Sequence, residues 1–179
     1  MKKVYKIKIK LLSPLHINGG VDPDSMRITV MSGGKPYVPA TLVKGIVRSN
    51  FKVLANTFLD SSDITDYFFG KGGFQRSRVI FDDLETEQEL LTETRTNVSI
   101  NRYTRKVNDS ALVNTQTVSR YDADGNSVVF EGEMTVYYTP EEYLKYENFI
   151  LQSLRMITAI GSGKSRGLGF VEVSADEEG

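Results

Sequence analysis

Segments with strand periodicity and segments with helical periodicity follow one another in an order that few folds accommodate. Residues 4–11 alternate between apolar residues and lysines, which predicts a half-buried strand with a lysine-studded outer face. Apolar residues then recur at helical spacing from Val43 to Phe58, and Thr41 is the predicted N-cap of this helix. Further strands are predicted at residues 77–84, 127–138 and 170–173.

A second helix has a clear start signal. Thr139 as N-cap, Pro140 at the first helical position and Glu142 three residues after the cap predict a capping box, and we expect the helix to end at Gly161. The resulting order, β-α-β-β-α-β, predicts a single α+β domain over residues 1–179 with a ferredoxin-like (RRM-like) arrangement. It carries insertions at 12–39 and 93–126.

The composition excludes several classes of protein. The 179 residues include no cysteine and one histidine, which excludes disulfide scaffolds, cysteine-based zinc or iron–sulfur sites and His-rich metal sites. No apolar run approaches the roughly 20 residues that cross a bilayer. We therefore expect a cytoplasmic protein with no membrane partner, and its acidic end, residues 176–178, is predicted to be a frayed, solvated tail.

The net charge of −1 conceals an uneven distribution. Residues 41–56, 70–78, 93–121 and 161–170 together hold +11, which leaves −12 elsewhere. If these segments converge, they form a positive surface suited to a phosphate backbone. The basic residues of the first helix are Lys44, Arg48 and Lys52. Taken alone, that row is typical of the solvated face of an amphipathic helix.

A glycine-rich segment lies between the second helix and the last strand. Residues 161–169 contain four glycines, two on each side of the basic residues Lys164 and Arg166. Glycines such as Gly161 and Gly163 allow close approach of a phosphate to the backbone, whereas an ordinary helix C-cap and turn explains one or two of them. The segment lacks the first glycine of a P-loop and leaves a helix instead of a strand, so it is not one.

The long segment after the first strand contains the candidate polar groups. His16 lies beside apolar residues, which favours a packed or hydrogen-bonding role, with direct RNA contact as the alternative. Asp22 and Asp24 flank Pro23. They suit either a Mg²⁺ ion held through one or two carboxylates or a simple turn, and the residues alone leave both interpretations open.

Aromatic residues also occur within basic surroundings. Phe74 precedes Arg76, and Tyr103 lies among Arg102, Arg105 and Lys106. Such interleaving is typical of base stacking, as is Tyr121 next to Arg120, although each ring can equally anchor its segment to the core.

Taken together, these segments resemble the RAMP superfamily of CRISPR-associated proteins, and in particular the backbone subunit of type III effector complexes. The resemblance extends over nearly the whole chain. It rests on five segments in order: LHINGG at 15–20, VPATLVKGIVRSNF at 38–51, Phe69-Gly70, TNVSINRYTRKV at 96–107 and GSGKSRGLGFV at 161–171.

The resemblance implies a palm with a β-hairpin thumb at 93–126, polymerising head to tail along CRISPR RNA and holding the guide–target duplex beside other effector subunits. It implies that His16, Lys44 and Arg48 contact guide phosphates and that the glycine-rich loop faces the RNA. Asp24, or failing that Asp22, would support Mg²⁺-dependent cleavage of complementary target RNA.

The segment after Arg27 departs from the active relatives, which carry a further Arg-Asp pair, because Thr29, Val30, Met31 and Ser32 follow here. Two alternatives therefore stand beside target cleavage. One is a non-catalytic backbone that serves a separate nuclease, and the other is a stand-alone, metal-independent endoribonuclease that processes the guide precursor. A third possibility is an interaction module that binds no RNA.

Overall fold

The computed structural model describes residues 1–59, 63–73, 75–100 and 102–177, and these form three α-helices and ten β-strands. The helices are α1 (Ala40–Phe58), α2 (Asp63–Phe69) and α3 (Pro140–Arg155). The strands are β1 (Lys2–Leu11), β2 (Asn18–Val21), β3 (Arg27–Thr29), β4 (Met31–Ser32), β5 (Lys35–Pro36), β6 (Val79–Phe81), β7 (Leu90–Ile100), β8 (Val107–Asp122), β9 (Val129–Tyr137) and β10 (Val171–Glu177). In the part of the chain described, none of the helices combines the length and hydropathy needed to cross a membrane.

The core is a four-stranded sheet in the order β10-β1-β9-β6, and every neighbouring pair is antiparallel. The helices α1 and α2 connect β1 to β6, and α3 connects β9 to β10. The core elements therefore follow one another as β-α-β-β-α-β, and the predicted α+β class is confirmed.

The helices cover one face of this sheet. The alternating apolar residues of β1, from Tyr5 to Leu11, are buried as predicted. They share one hydrophobic core with the apolar stripe of α1 and with Ile150 and Leu154 of α3. In α1 that stripe consists of Val43, Val47, Phe51 and Ala55, spaced as the helical repeat requires.

The opposite face of the sheet is open and carries the lysines of β1. Lys6 and Lys8 both reach Glu131 of β9, at 2.7 and 3.2 Å. Hydrogen bonds from the two lysines, with that from Lys6 the stronger influence, hold the pKa of the Glu131 carboxyl below its usual range. The lysine-studded face is present, but at these positions its charge is compensated.

A second sheet, in the order β2-β3-β8-β7, contains strands from both predicted insertions. The strands β7 and β8 form a long antiparallel hairpin that includes most of residues 93–126. Residues 12–39 contain β2 and β3, which belong to this sheet, and β4 and β5, which pair with each other in a separate two-stranded sheet. The strand β3 pairs with β8 in parallel, so the two insertions meet in one sheet.

Two helix boundaries differ from the prediction. The N-cap of α1 is Pro39, not Thr41, and it makes no side-chain cap bond. The first helical N–H, that of Ala40, donates instead to Oδ1 of Asp83 at 2.7 Å. The capping box at Thr139 is confirmed, but α3 ends at Arg155, well before Gly161.

The acidic end of the chain is more ordered than predicted. Asp176 and Glu177 belong to β10, where they pair with Lys6 and Tyr5 of β1, and the Glu177 carboxylate also binds Lys3. The prediction of a frayed tail was therefore wrong for these two residues, and Glu178 lies outside the described residues. The short helix α2 was not predicted.

Candidate nucleic-acid interface

A small basic cleft, called the arginine cleft below, lies where four segments meet. These segments are the chain after β1, the strand β3, the β7–β8 hairpin and the glycine-rich loop before β10. The polar residues that define it are His16, Arg27, Arg95, Asn97, Thr115, Ser162 and Arg166. Its volume of about 90 Å³ is far below the roughly 300–1,000 Å³ of pockets for drug-sized ligands and suits a group the size of a phosphate.

The strand register places two of the arginines. Arg27 of β3 pairs with Thr115 of β8, and Thr115 pairs with Arg95 of β7 on its other side. Residues directly paired across a sheet project from the same face, and neighbouring strands lie about 4.8 Å apart. Arg27 and Arg95 therefore flank Thr115 on one face.

The three arginines of the cleft differ from the lysines in the middle of β1. Arg27, Arg95 and Arg166 are exposed, and none forms an ion pair with any residue that the structure describes. By contrast, the lysines at 3, 6 and 8 each contact a carboxylate. Three like charges held together without a counter-ion repel one another, so the cleft favours binding of an anion.

His16 occupies the inner wall of the cleft. It is buried, and its Nδ1 lies 2.8 Å from the carbonyl oxygen of Gln116 in β8. Burial, and to a smaller extent the charge of Arg27, lowers the pKa of His16, while the bond to Gln116 opposes this shift. The packed, hydrogen-bonded role that the sequence favours is present, and the ring also borders the cleft.

The glycine-rich loop owes its glycines to its own conformation. Gly161, Gly163, Gly167 and Gly169 all have φ between 74° and 80°, the left-handed region. A Cβ on Gly161 would lie 2.4 Å from the His16 carbonyl oxygen, and one on Gly169 would lie 2.0 Å from that of Ile160. The backbone thus accounts for all four glycines, and their number is not evidence for a ligand.

The two basic residues of that loop are nevertheless presented to solvent. Lys164 and Arg166 lie in a 3-10 turn between the left-handed residues Gly163 and Gly167, and both side chains are exposed. Gly163 and Arg166 line the arginine cleft. The N–H of Ser162 donates to the His16 carbonyl oxygen at 2.8 Å, which fixes the loop against the segment that follows β1.

The two candidate carboxylates lie in the turn between β2 and β3. Oδ1 of Asp22 accepts from the Met26 N–H at 2.7 Å, and its carbonyl accepts from Ser25, so Asp22 forms the turn. Asp24 is exposed, and no described residue bonds to its carboxylate. Among the described residues no group of three acidic or histidine side chains could hold a metal ion. The carboxylates of Asp22 and Asp24 fit Mg²⁺ only where phosphate and water supply the remaining oxygen ligands.

The basic residues of α1 do not line this cleft. Lys44 is half-buried, and burial, followed by the charge of Arg48, lowers its pKa. Nη2 of Arg48 lies 2.6 Å from Oδ1 of Asp66 in α2, and Lys52 is exposed. Arg48 therefore has a structural partner, which the solvated-face interpretation did not include.

The remaining candidates lie away from the cleft. Arg76 is exposed after the turn that follows α2. The described residues of the hairpin tip include Arg102, Arg105 and Lys106, all exposed, together with Tyr103 at 96% exposure. The Arg120 guanidinium lies 4.5 Å from the Tyr121 ring centroid, and Phe74 lies outside the described residues.

A larger groove of about 640 Å³ exists elsewhere, at the start of β9. Its lining includes the carboxylates of Glu85, Glu87 and Glu131, with Lys35 as its one basic residue among those described. Glu131 is already paired with Lys6 and Lys8, and Glu85 and Glu87 outnumber Lys35, so this groove is larger but offers phosphate no excess of positive charge.

Sequence reasoning missed most of the cleft. Arg95, Thr115 and Ser162 were not among the predicted binding residues, and Arg27 was noted only as part of a motif. Arg95 and Asn97 alternate within a strand-like run, so their common face was readable, but their position opposite Arg27 depends on a pairing between strands far apart in the chain. Of the predicted binding residues, the cleft unites His16, Gly163 and Arg166.

The comparisons with known proteins agree on one fold. The family model of the RAMP superfamily matches residues 8–172, while a search of the curated proteins found no match. The cryo-EM structure of the Type III-B Cmr-beta bound to cognate target RNA contains a similar chain, with a TM-score of 0.73, 12% identity, and 98% of this chain and 97% of that chain covered. The cryo-EM structure of the Type III-B Cmr-beta in the Apo state also contains a similar chain, with a TM-score of 0.74, 12% identity and 96% of each chain covered. At 12% identity these likenesses establish the fold, and the family match over nearly the whole length establishes that the chain belongs to the RAMP superfamily.

Proposed function

We propose that this chain is an RNA-binding backbone subunit of a CRISPR type III effector complex. The observation that carries the proposal is the arginine cleft, where Arg27, Arg95 and Arg166 converge from three separate elements without ion-pair partners among the described residues. Guanidinium groups donate two parallel hydrogen bonds to a phosphate, which makes arginine well suited to a nucleic-acid backbone.

The family and the structural likeness support this assignment. RAMP membership agrees with the residues on which the resemblance rests, and one similar chain belongs to a Cmr-beta structure bound to cognate target RNA. For this chain we infer CRISPR RNA and complementary target RNA as ligands and other effector subunits as protein partners. Sequence specificity then resides in base pairing, so the arginines need only hold the backbone.

Binding of single-stranded RNA at several salt concentrations tests the proposal. Each phosphate contact contributes about −0.7 to the slope of log affinity against log salt for a single strand. Three arginines therefore predict a slope of about −2 or steeper. Absence of binding at low salt, or binding that salt does not weaken, would contradict the RNA-binding role and favour an interaction module.

We further propose that copies of the chain assemble head to tail along the RNA. Exposed basic groups occur at the cleft and at the hairpin tip, whereas the exposed carboxylates of Glu85 and Glu87 line the groove at the start of β9. Surfaces of opposite sign on one subunit allow successive copies to approach in a single orientation. Sedimentation with and without guide-length RNA tests this, because assembly should grow with RNA length.

Target cleavage through Asp24 is the catalytic part of the proposal. Asp24 is exposed on the β2–β3 turn, where its carboxylate is available to a Mg²⁺ ion. Oxygens of the RNA and water would complete the coordination of that ion. When bound, the ion would supply Lewis-acid activation of the phosphodiester. The chain's own contribution is to hold the carboxylate at a fixed position, since Asp22 closes the turn beneath it.

The cleavage experiment uses the chain assembled on guide RNA with a paired target and Mg²⁺. Asp24→Ala should abolish cutting and leave assembly intact. Unchanged cutting would move the catalytic role to Asp22 or to a separate nuclease, and the chain would then be a non-catalytic backbone. Cleavage of guide precursor by the chain alone in EDTA would instead favour the processing endoribonuclease.

A further inference from the structure

The hydrogen bond between His16 and Gln116 determines which proton the imidazole carries. A carbonyl oxygen only accepts, so Nδ1, which lies 2.8 Å from it, must be the protonated nitrogen. Burial holds the ring in its neutral form, because the charged form loses more hydration on burial. In neutral imidazole one nitrogen donates and the other accepts, so Nε2 of His16 is an acceptor.

The surroundings keep this ring in a fixed orientation. The backbone carbonyl of His16 accepts from Ser162 of the glycine-rich loop, and its side chain donates to β8. Within the described part of the chain Nε2 has no hydrogen-bond partner, although the ring borders the arginine cleft. The cleft therefore presents donors from three arginines and, at His16, a buried acceptor in a fixed position.

An acceptor does not suit a phosphate, whose oxygens also accept. The ribose 2′-hydroxyl of an RNA strand can donate a hydrogen bond to Nε2, and it lies next to the phosphate that the arginines would bind. We propose that His16 is a specificity-determining residue that accepts a hydrogen bond from a ribose 2′-hydroxyl while the cleft arginines hold the adjacent phosphate, so that the cleft selects RNA over DNA. This inference rests on the RNA-binding function proposed above.

The test compares three strands of one sequence with the full chain: RNA, 2′-fluoro RNA and DNA. The 2′-fluoro strand keeps the phosphates but has no hydroxyl proton to donate. We expect it to bind about three- to tenfold more weakly than RNA, as one lost hydrogen bond implies, and we expect DNA to bind no better than 2′-fluoro RNA. Equal affinity for RNA and 2′-fluoro RNA would overturn the proposal without any protein variant.

Two variants assign the preference to His16. His16→Phe fills the space of the ring but has no nitrogen, so the ratio of RNA to 2′-fluoro RNA affinity should fall to about one. Arg166→Ala is the matched control, because it should weaken both strands equally and leave the ratio unchanged. A ratio that persists in a folded His16→Phe protein, as judged by circular dichroism, would overturn the proposal.

The outcomes separate this inference from the proposed function. If the wild-type chain binds RNA in a salt-dependent manner but without preference over 2′-fluoro RNA, only the role of His16 fails. If neither strand binds at low salt, the proposed function itself fails.

Discussion

Nδ1 of His16 and the carbonyl oxygen of Gln116 lie 2.8 Å apart, although 100 residues separate them in the chain. The bond joins the segment between β1 and β2 to the strand β8 of the second sheet. Because the ring is buried and its pKa is lowered, the folded protein resists protonation of His16 more strongly than the unfolded chain does.

This difference predicts how stability depends on pH. Neutral His16 contributes fully to the unfolding free energy above the ordinary histidine pKa of about 6.5. This contribution is lost as the pH falls, because the unfolded chain then binds a proton that the folded protein does not. Urea denaturation at pH 7.5 and 5.5 should show a larger loss of unfolding free energy for the wild type than for His16→Gln, which does not titrate. The same loss in both proteins would show that other groups dominate.

The glycine-rich loop allows a matched pair of substitutions. Gly167 and Gly169 both have positive φ, but a Cβ on Gly167 meets open space, whereas one on Gly169 lies 2.0 Å from the Ile160 carbonyl oxygen. Gly167→Ala should cost about 1–2 kcal/mol of unfolding free energy for the left-handed backbone. Gly169→Ala should cost at least about twice as much, because the backbone must also move. Similar losses in chemical denaturation would contradict this packing.

The unpaired arginines predict the salt dependence of RNA binding residue by residue. Arg27→Ala and Arg95→Ala should each weaken binding and reduce the magnitude of the salt slope by about 0.7. Lys8→Ala serves as the control, since Lys8 is paired with Glu131 on the open face of the core sheet. Fluorescence anisotropy at several salt concentrations measures the slopes, and a control variant that changes the slope as much would place the RNA elsewhere.

Substitutions of the two aspartates in the β2–β3 turn should have different effects on the stability of the protein. Asp22→Ala removes the bond to the Met26 N–H and should cost about 1 kcal/mol. Asp24→Ala removes an exposed carboxylate and should change the unfolding free energy by less than about 0.5 kcal/mol. A thermal or urea melt distinguishes them, and a large loss for Asp24→Ala would mean that its carboxylate has a structural role.

Local signals in the sequence were the most reliable guide to the fold. The capping box at Thr139 depends on residues three apart, and it is present. The start of α1 was placed wrongly because the group that caps it, the carboxylate of Asp83, lies 43 residues away. A search for a nearby hydroxyl therefore selected Thr41, although the helix begins at Ala40.

The candidate site was predictable only in part, for the same physical reason. Arg166 and Gly163 follow from the composition of the glycine-rich loop, and His16 from its place after a predicted strand. Arg27 and Arg95 meet only because β3 and β7 both pair with β8, and strand pairing of that kind is decided by tertiary structure. The tautomer of His16 likewise depends on a carbonyl oxygen in β8, 100 residues away in the chain.

The long hairpin is rooted in the hydrophobic core, and this limits how it can be exchanged. Val118 of β8 is buried, and its backbone forms a bridge with Leu15, while Thr117 beside it is fully buried. The outer part, around the exposed pair Val98 and Leu112, contributes nothing comparable to the core. An engineer who grafts the hairpin of one relative onto another must therefore make the junctions on the tip side of the pair Asn97 and Val113, so that both the core and the arginine cleft stay intact.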